Sequence, residues 1–395
     1  MAERSGSLPT AGLVLTGGGA RGAYQAGVLK ALAEALPGPI PFPVITGVSV
    51  GAINAVVLAE GADDFPAAVD KLETLWRSLR CGSVFTSDPW PLFRRLARWS
   101  NSFGLRWTGL EPPRSLLDAN PLRELIESQV DFGRIRSMVE DGHLDALAVT
   151  ASSYSSGESV NFIQAAPDHD GWRRARRVGR TTEISVDHIM ASAALPAIFQ
   201  SRQLGHHWFG DGALRQTAPL SPAIHLGCDR LLVISARNGV IDDVPEVGPG
   251  QPYPSLGLLG GQLLDIIFND NLDADVERLQ RVNETLGIIP AERQGKTPLR
   301  IIDTHMVRPS ADIRDIAGDH ADELPWPVKT LLRTIGAMRA PWVLPSYLNF
   351  EHGFVSALIE LGYEDGKKGL DELVGFITHR PAMNDAETRS GAHSA

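Results

Sequence analysis

Cysteine is scarce in this sequence: Cys81 and Cys228 are the only two in 395 residues. That count excludes a disulfide framework and a four-cysteine zinc site, and it fits a reducing compartment. Long apolar runs are missing as well. The nearest approach, Leu256 to Phe268, is interrupted by Gln262 and Asp265, so the ~18 uninterrupted apolar residues of a membrane-crossing helix are not reached. Met1 to Thr10 is polar and lacks the apolar stretch of a secretory signal. These absences lead us to expect a cytoplasmic protein. Excess positive charge is also lacking: 37 Lys and Arg stand against 47 Asp and Glu, a net charge of -10. This argues against nucleic acid as a partner and against wholesale attraction to an anionic bilayer. No H-E-x-x-H occurs, and the histidines and aspartates follow no ligand spacing, so no metal site is expected. There is no internal repeat, no linker that would separate the chain into independent domains, and nothing that specifies an oligomer.

What is present is an ordinary globular composition. An apolar fraction of 43% suffices for a full core, and 39 Gly with 27 Pro fit many βα turns. Ala11 to Thr16 is a short apolar run ending in glycines, followed from Ala20 to Leu36 by small and apolar residues at helical spacing. The pattern repeats at once: Phe42 to Val48 is extended and apolar, Gly47 to Gly51 is a turn, and Ala52 to Glu60 is an apolar helix. Two βα units in sixty residues predict an α/β fold with a mostly parallel sheet flanked by helices, its ligands at the carboxyl ends of the strands. Further strands are expected at Leu144 to Ala151, Ser159 to Gln164, Phe199 to Leu204, Arg230 to Ala236 and Arg300 to Val307. From Ser255 to Leu286, apolar residues including Leu256, Leu259, Leu263 and Ile267 recur every third or fourth position. They predict a long amphipathic helix with a break around Asn269 to Asn271. Arg80 to Asn120 reads as an irregular insertion beside the site, ahead of a helix opened by Asn120-Pro121.

Three motifs carry chemistry. Gly47-Val48-Ser49-Val50-Gly51 is a G-x-S-x-G between a strand and a helix, the context in which a nucleophile elbow exposes a serine hydroxyl on a strained turn while Gly47 and Gly51 let strand and helix pass closely. Gly17-Gly18-Gly19-Ala20-Arg21-Gly22 follows the first strand and opens the first helix, presenting backbone N–H groups at a positive dipole end. A Walker loop would need Lys-Ser or Lys-Thr after the last glycine, where Ala23-Tyr24 stand. A dinucleotide fingerprint would need an acid about 20 positions on, and none occurs from Ala35 to Ala59. An oxyanion hole serving Ser49 uses both motifs in one mechanism. The third motif, Gly210-Asp211-Gly212-Ala213, holds a carboxylate between glycines. By itself it is a common turn.

In order along the chain, the glycine loop with its Arg21, the G-x-S-x-G about thirty residues later, Ala191-Ser-Ala-Ala-Leu-Pro-Ala-Ile-Phe199 and Asp211-Gly-Ala-Leu-Arg-Gln-Thr-Ala-Pro-Leu220 resemble the patatin-like phospholipase family, in its bacterial-type domain, over about residues 11 to 236. The resemblance implies a three-layer architecture with a helical C-terminal part. It also implies a Ser-Asp dyad without catalytic histidine: Ser49 attacks the ester, Asp211 takes its proton, and the N–H groups of Gly17, Gly18, Gly19, Ala20, Arg21 and Gly22 form the oxyanion hole. Arg21 would orient the turn or a substrate phosphate. Ala213 departs from the commoner D-G-G. The implied activity is hydrolysis of fatty acyl esters of phospholipids or lysophospholipids through an acyl-enzyme, with no cofactor. On the residues alone, a histidine base at His206 or His207 stays open, as do a dinucleotide-binding oxidoreductase and a catalytically silent scaffold of the same fold.

The expected organisation is a disordered segment 1–10, an acyl-hydrolase core 11–236, a mainly helical continuation 237–375 and a disordered tail 376–395. A peripheral membrane contact is also expected. The five arginines of Trp172-Arg-Arg-Ala-Arg-Arg-Val-Gly-Arg180, with Trp90, Trp99, Phe103 and Trp107, would form a docking rim. The alternative is that the arginines form a solvated, salt-bridged loop and the aromatics fill a core.

Overall fold

The computed structural model describes residues 10–86, 115, 117–166, 169–237, 253–290, 293 and 296–378. Among them, ten strands form one sheet: β1 (Ala11–Leu15), β2 (Val44–Val48), β3 (Ala146–Ser153), β4 (Ser159–Ala165), β5 (Trp172–Arg174), β6 (Arg177–Thr181), β7 (Arg202–Leu204), β8 (His207–Asp211), β9 (Arg230–Ile234) and β10 (Asp303–Val307). The spatial order is β10-β9-β1-β2-β3-β4-β6-β5, and β8 pairs with both β3 and β7. From β10 to β3 all neighbours are parallel, whereas β4 and β8 run antiparallel to β3.

The helices used below are α1 (Ala23–Ala35), α2 (Val50–Glu60), α3 (Phe65–Ser78), α4 (Asn120–Gln129), α5 (Val186–Ser192), α6 (Leu256–Asp265), α7 (Asn271–Ile288), α8 (Val343–Leu348), α9 (His352–Lys368) and α10 (Leu370–Thr378). The central strands are apolar on both faces because each face is covered. Leu13, Leu15, Leu232 and Ile234 point into the larger core with α1, α2, α3 and α9. Val14, Leu231 and Val233 point the other way, toward Leu220, Ala223 and the Leu272 and Leu279 side of α7. The result is three layers, α/β/α, with strand ends and turns forming the rim on which a site can be built.

Three expectations need correction. The stretch from Ser255 to Leu286 is helical with an interruption where one was expected, a π-helical turn at Ile266–Asp270, but its apolar row is a core face only in the second half: Leu279 and Leu286 are buried, whereas Leu256, Leu259 and Leu263 are exposed and Gly257, Gly261 and Leu264 are buried instead. Small residues permit the closer backbone approach there, so packing selected the glycine face over the leucine face. The arginine cluster is not a loop but the strand pair β5–β6 at the sheet edge, where Arg173 bonds Glu158 at 2.6 Å. Finally, α10 runs to Thr378, past the expected start of the tail.

The tightest crossing is between α1 and α9. A Cβ on Gly362 would stand 2.1 Å from the Tyr24 carbonyl oxygen, and one on Gly27 would stand 2.0 Å from that of Ile359, so any side chain must push the helices apart. Gly362→Val should therefore cost about 3 kcal/mol or more. Gly287→Ala, in a helix with no atom near the added methyl, should be neutral or stabilising by up to ~1 kcal/mol. Urea unfolding of the two variants against wild type measures the contrast.

Candidate active site

Strand β2 ends at Val48 and α2 begins at Val50, leaving Ser49 to turn the chain alone. Its φ of 54° and ψ of -125° lie in a region that residues with a side chain rarely adopt, so the surroundings must hold it there. Gly47 and Gly51 make the crossing possible, since a Cβ on either would fall 2.3 or 2.2 Å from a backbone oxygen. The Ser49 N–H donates to Ser192 Oγ at 2.9 Å, and the Ser192 hydroxyl donates to Thr150 O at 2.6 Å. Ser192 therefore fastens the elbow to β3 from α5.

The carboxylate arrives by strand replacement. Pairing of β2 with β3 stops at Val48 opposite Thr150. At the next position of β3, Ala151 pairs with Asp211, the last residue of β8 coming from the opposite direction. Serine and aspartate thus meet where one strand gives way to another. Asp211 is fully buried; its Oδ1 accepts from Ala213 N–H at 2.9 Å, and Ser152 Oγ secures the same turn by donating to Gly212 O at 3.0 Å. Its Oδ2 is buried without a hydrogen-bond partner of ordinary geometry, and the Ser49 hydroxyl is the side-chain group acting on the carboxylate. Burial raises the pKa from 3.8 to about 7, opposed by Ser49 and by the Ala213 N–H. Among the described residues no histidine hydrogen-bonds to Ser49 or Asp211. His206 is exposed, and the His207 ring lies against Phe209 at 6.3 Å.

The glycine loop stands beside the serine. A Cβ on Gly17 would lie 3.2 Å from Ser49 Cβ, and one on Gly19 only 2.4 Å from Tyr347 O. Gly19 also has φ 56°, so both its conformation and its neighbour require glycine. The N–H groups of Gly18 and Gly19 donate to no protein acceptor among the described residues. Ala20, Arg21 and Gly22 continue into the 3-10 turn Gly19–Gly22. The Arg21 N–H donates to Gly18 O at 3.2 Å, which removes it from the set of open donors. Its side chain is buried and engaged by the protein: Nε and Nη2 donate to Ser346 Oγ at 2.9 and 2.7 Å, and Nη1 donates to Asp265 at 3.2 Å. Its guanidinium also stacks 3.8 Å over the Tyr347 ring.

Two residues that the motifs do not include hold this loop. Gln25 Nε2 donates to Thr16 O at 2.9 Å, and Asn54 Nδ2 donates to Gly22 O at 3.2 Å and to Gln25 Oε1 at 2.8 Å. Trp76 Nε1 in turn donates to Asn54 Oδ1 at 2.9 Å. The signal for them in the sequence was a single amide among the small and apolar residues that open each of the two helices, because a buried amide persists only with its partners supplied.

Ser49 and Gly19 open onto a narrow apolar cleft whose walls include Ile53, Trp76, Leu122, Leu195, Phe199 and Phe350. The start of the expected insertion contributes Val84 to it and the following helix α4 contributes Leu122, whereas Trp90, Trp99, Phe103 and Trp107 lie outside the described residues. Among the described residues no group of three or more His, Cys, Asp or Glu could hold a metal ion. None of their helices is long and apolar enough to cross a membrane.

A glycine loop, an elbow serine and a buried aspartate gathered at the strand ends accord with the family to which the sequence matches. Residues 13–224, just over half of the chain, match the patatin-like phospholipase family, and the chain belongs to it. Among curated proteins it is similar to the lysophospholipase nte1 of Aspergillus terreus, with 54% identity over 55 residues, 14% of this chain and 3% of that protein. It is also similar to nte1 of Aspergillus oryzae, with 42% identity over 72 residues, 17% of this chain and 4% of the other. The chain thus spans a small fraction of the length of these relatives. Among solved structures, the human GIVD cytosolic phospholipase A2 has a TM-score of 0.44 at 10% identity, covering 95% of this chain and 61% of that one. VipD from Legionella pneumophila has a TM-score of 0.39 at 14% identity, covering 93% and 67%.

The burial of Asp211 links stability to pH. With a native pKa near 7 against 3.8 unfolded, the native state binds the extra proton between these values, so the contribution of Asp211 to stability is full below about pH 4 and is lost as pH rises through 7. Asp211→Asn, which keeps an acceptor for Ala213 and carries no charge, should therefore gain in stability relative to wild type from pH 5 to pH 8. Denaturant unfolding at the two pH values measures this, and a difference independent of pH would contradict the buried carboxylate.

Proposed function

We propose that the chain hydrolyses fatty acyl esters of phospholipids or lysophospholipids through a Ser49–Asp211 dyad and an acyl-enzyme. The observation that carries this reading is the meeting of a strained serine, which opens onto an apolar cleft, with a buried carboxylate whose pKa is raised. Near neutral pH Asp211 is divided between its two protonation states, which suits a group that must take a proton and return it. In the ionised state it accepts the Ser49 proton while Oγ attacks the ester carbonyl. The N–H groups of Gly18 and Gly19 are donors for the oxyanion that forms, and the loop is braced in advance by Arg21, Gln25 and Asn54. Collapse breaks the ester C–O bond, the proton on Asp211 passes to the leaving alcohol, and the acyl group remains on Ser49 with its chain along the cleft. Water then repeats the sequence, with Asp211 again as base, and releases the fatty acid. The family match and the lysophospholipase names of the fungal relatives support a lipid ester as substrate. Cys81 and Cys228 are buried and form no disulfide, which supports placing the protein in the cytoplasm, with a peripheral contact at a membrane.

Ser49→Ala and Asp211→Asn should each reduce turnover of a lipid ester by about 10³-fold or more, with the double variant little worse than either, because the dyad acts as one unit. A fluorophosphonate should label the wild type and not Ser49→Ala. In the wild type kcat/KM should rise with pH to a plateau above about 7, following ionisation of Asp211. Near-normal kcat in Asp211→Asn would assign the base elsewhere. Gly19→Val, which cannot keep its φ or clear Tyr347 O, should lose ~3 kcal/mol of transition-state stabilisation, and mass spectrometry of products from mixed lipids would name the head group.

A further inference from the structure

Helix α6 carries apolar residues on the wrong side for a core. Its inner face has a single large apolar side chain, Leu264: Gly257 packs on Ala337, Gly261 packs on Val343, and Asp265 receives Arg21 and the Tyr347 hydroxyl. Its outer face holds Leu256, Leu259 and Leu263, with Ile266 continuing the row, at 73, 43, 59 and 50% exposure. Tyr253 precedes them at 88%. Between Tyr253 and Ile266 the only charged residue is Asp265, which is buried. A row of aliphatic side chains about 15 Å long, without a charge in it, is unusual on a soluble surface and marks a binding face.

Its position identifies the occupant. The π-helical turn that follows α6 presses Phe268 against Gly17 and stacks it on Tyr347 at 5.4 Å, so the Ile266 end of the exposed row lies two residues from a contact with the glycine loop beside Ser49. We propose that the Leu256, Leu259, Leu263 and Ile266 face is the surface by which the protein seats itself on a lipid bilayer, with the row lying in the interface plane. The proposal rests on the acyl-hydrolase reading for its substrate, which resides in such a bilayer. A neutral aliphatic face on an acidic chain suits uncharged, zwitterionic lipid, driven by apolar burial rather than by charge. The edge strands β5–β6, with their arginines, would instead require anionic lipid and weaken with salt.

The test is flotation of the full chain with phosphatidylcholine vesicles, at low and high salt, comparing wild type with Leu256→Gln/Leu259→Gln/Leu263→Gln. Glutamine keeps helix propensity close to that of leucine, and retained hydrolysis of a soluble short-chain ester shows that the fold and the dyad survive. The expected result is salt-insensitive binding of wild type that falls about a hundredfold in the triple variant, with loss of vesicle hydrolysis and unchanged soluble-ester turnover. Equal binding by the two proteins, or no binding of wild type to neutral vesicles, would overturn the proposal. So would a wild-type dimer in sedimentation that the substitutions dissolve while vesicle binding is unaffected, since the face would then belong to a second copy. If wild type binds through this row yet hydrolyses no ester, docking stands and the hydrolase reading falls.

Discussion

Everything at this site depends on an exchange of partners along a single strand. β3 is longer than β2, and the positions that β2 leaves unpaired beyond Val48 are taken by β8 from the opposite direction. Backbone hydrogen bonding therefore sets the relation between Ser49 and Asp211 before any side chain is chosen. A carboxylate brought in this way has no route to solvent, and its charge is opposed by burial and favoured only by the Ala213 N–H and the Ser49 hydroxyl. Position alone thus raises the pKa of an ordinary acid to about 7, which is the property that the proposed role of Asp211 as base requires.

The second constraint is that a loop of three glycines has no stiffness of its own. Its rigidity is supplied from three directions: Gln25 and Asn54 from the two flanking helices, and Arg21 from the loop itself, gripped by Ser346, Asp265 and the Tyr347 ring. These grips on Arg21 come from residues 265 and 346–347. The C-terminal region of the chain is therefore integral to the glycine loop rather than an appendage to a finished domain.

Much of this was legible in the sequence, because the central strands and the first two helices obey strong local rules. The apolar runs ending in glycine could hardly be anything but βα turns, and β1, β2 and β9 fall where the runs lie. The residues at issue in the site were legible from motif order. Their geometry was not, because Asp211 pairs with Ala151, far back along the chain, and such a pairing leaves no periodicity. Orienting the turn was one of the two roles open to Arg21, but the residues that hold it were hidden, since they stand 244 and 325 residues away. The face of α6 was misread for a definite reason: helical periodicity reports which residues are apolar, and here glycines made the closer contact and turned the leucines outward. Tertiary packing overrode amphipathicity at the point where an exposed apolar face has a use.

The crossing of α1 with α9 has a consequence for how the molecule comes into being. Strand β1 lies between β2 and β9, and the helix that follows it is buried against residues 352–368. During synthesis the apolar side of α1 must wait for roughly 300 further residues before α9 can cover it, at roughly 5–20 residues per second. For some tens of seconds the nascent chain displays the apolar side of α1 to its surroundings. Such high contact order folds slowly and exposes apolar intermediates, so the same interlocking that ties residues 265 and 346–347 to the glycine loop delays burial of α1 until residues 352–368 have been made.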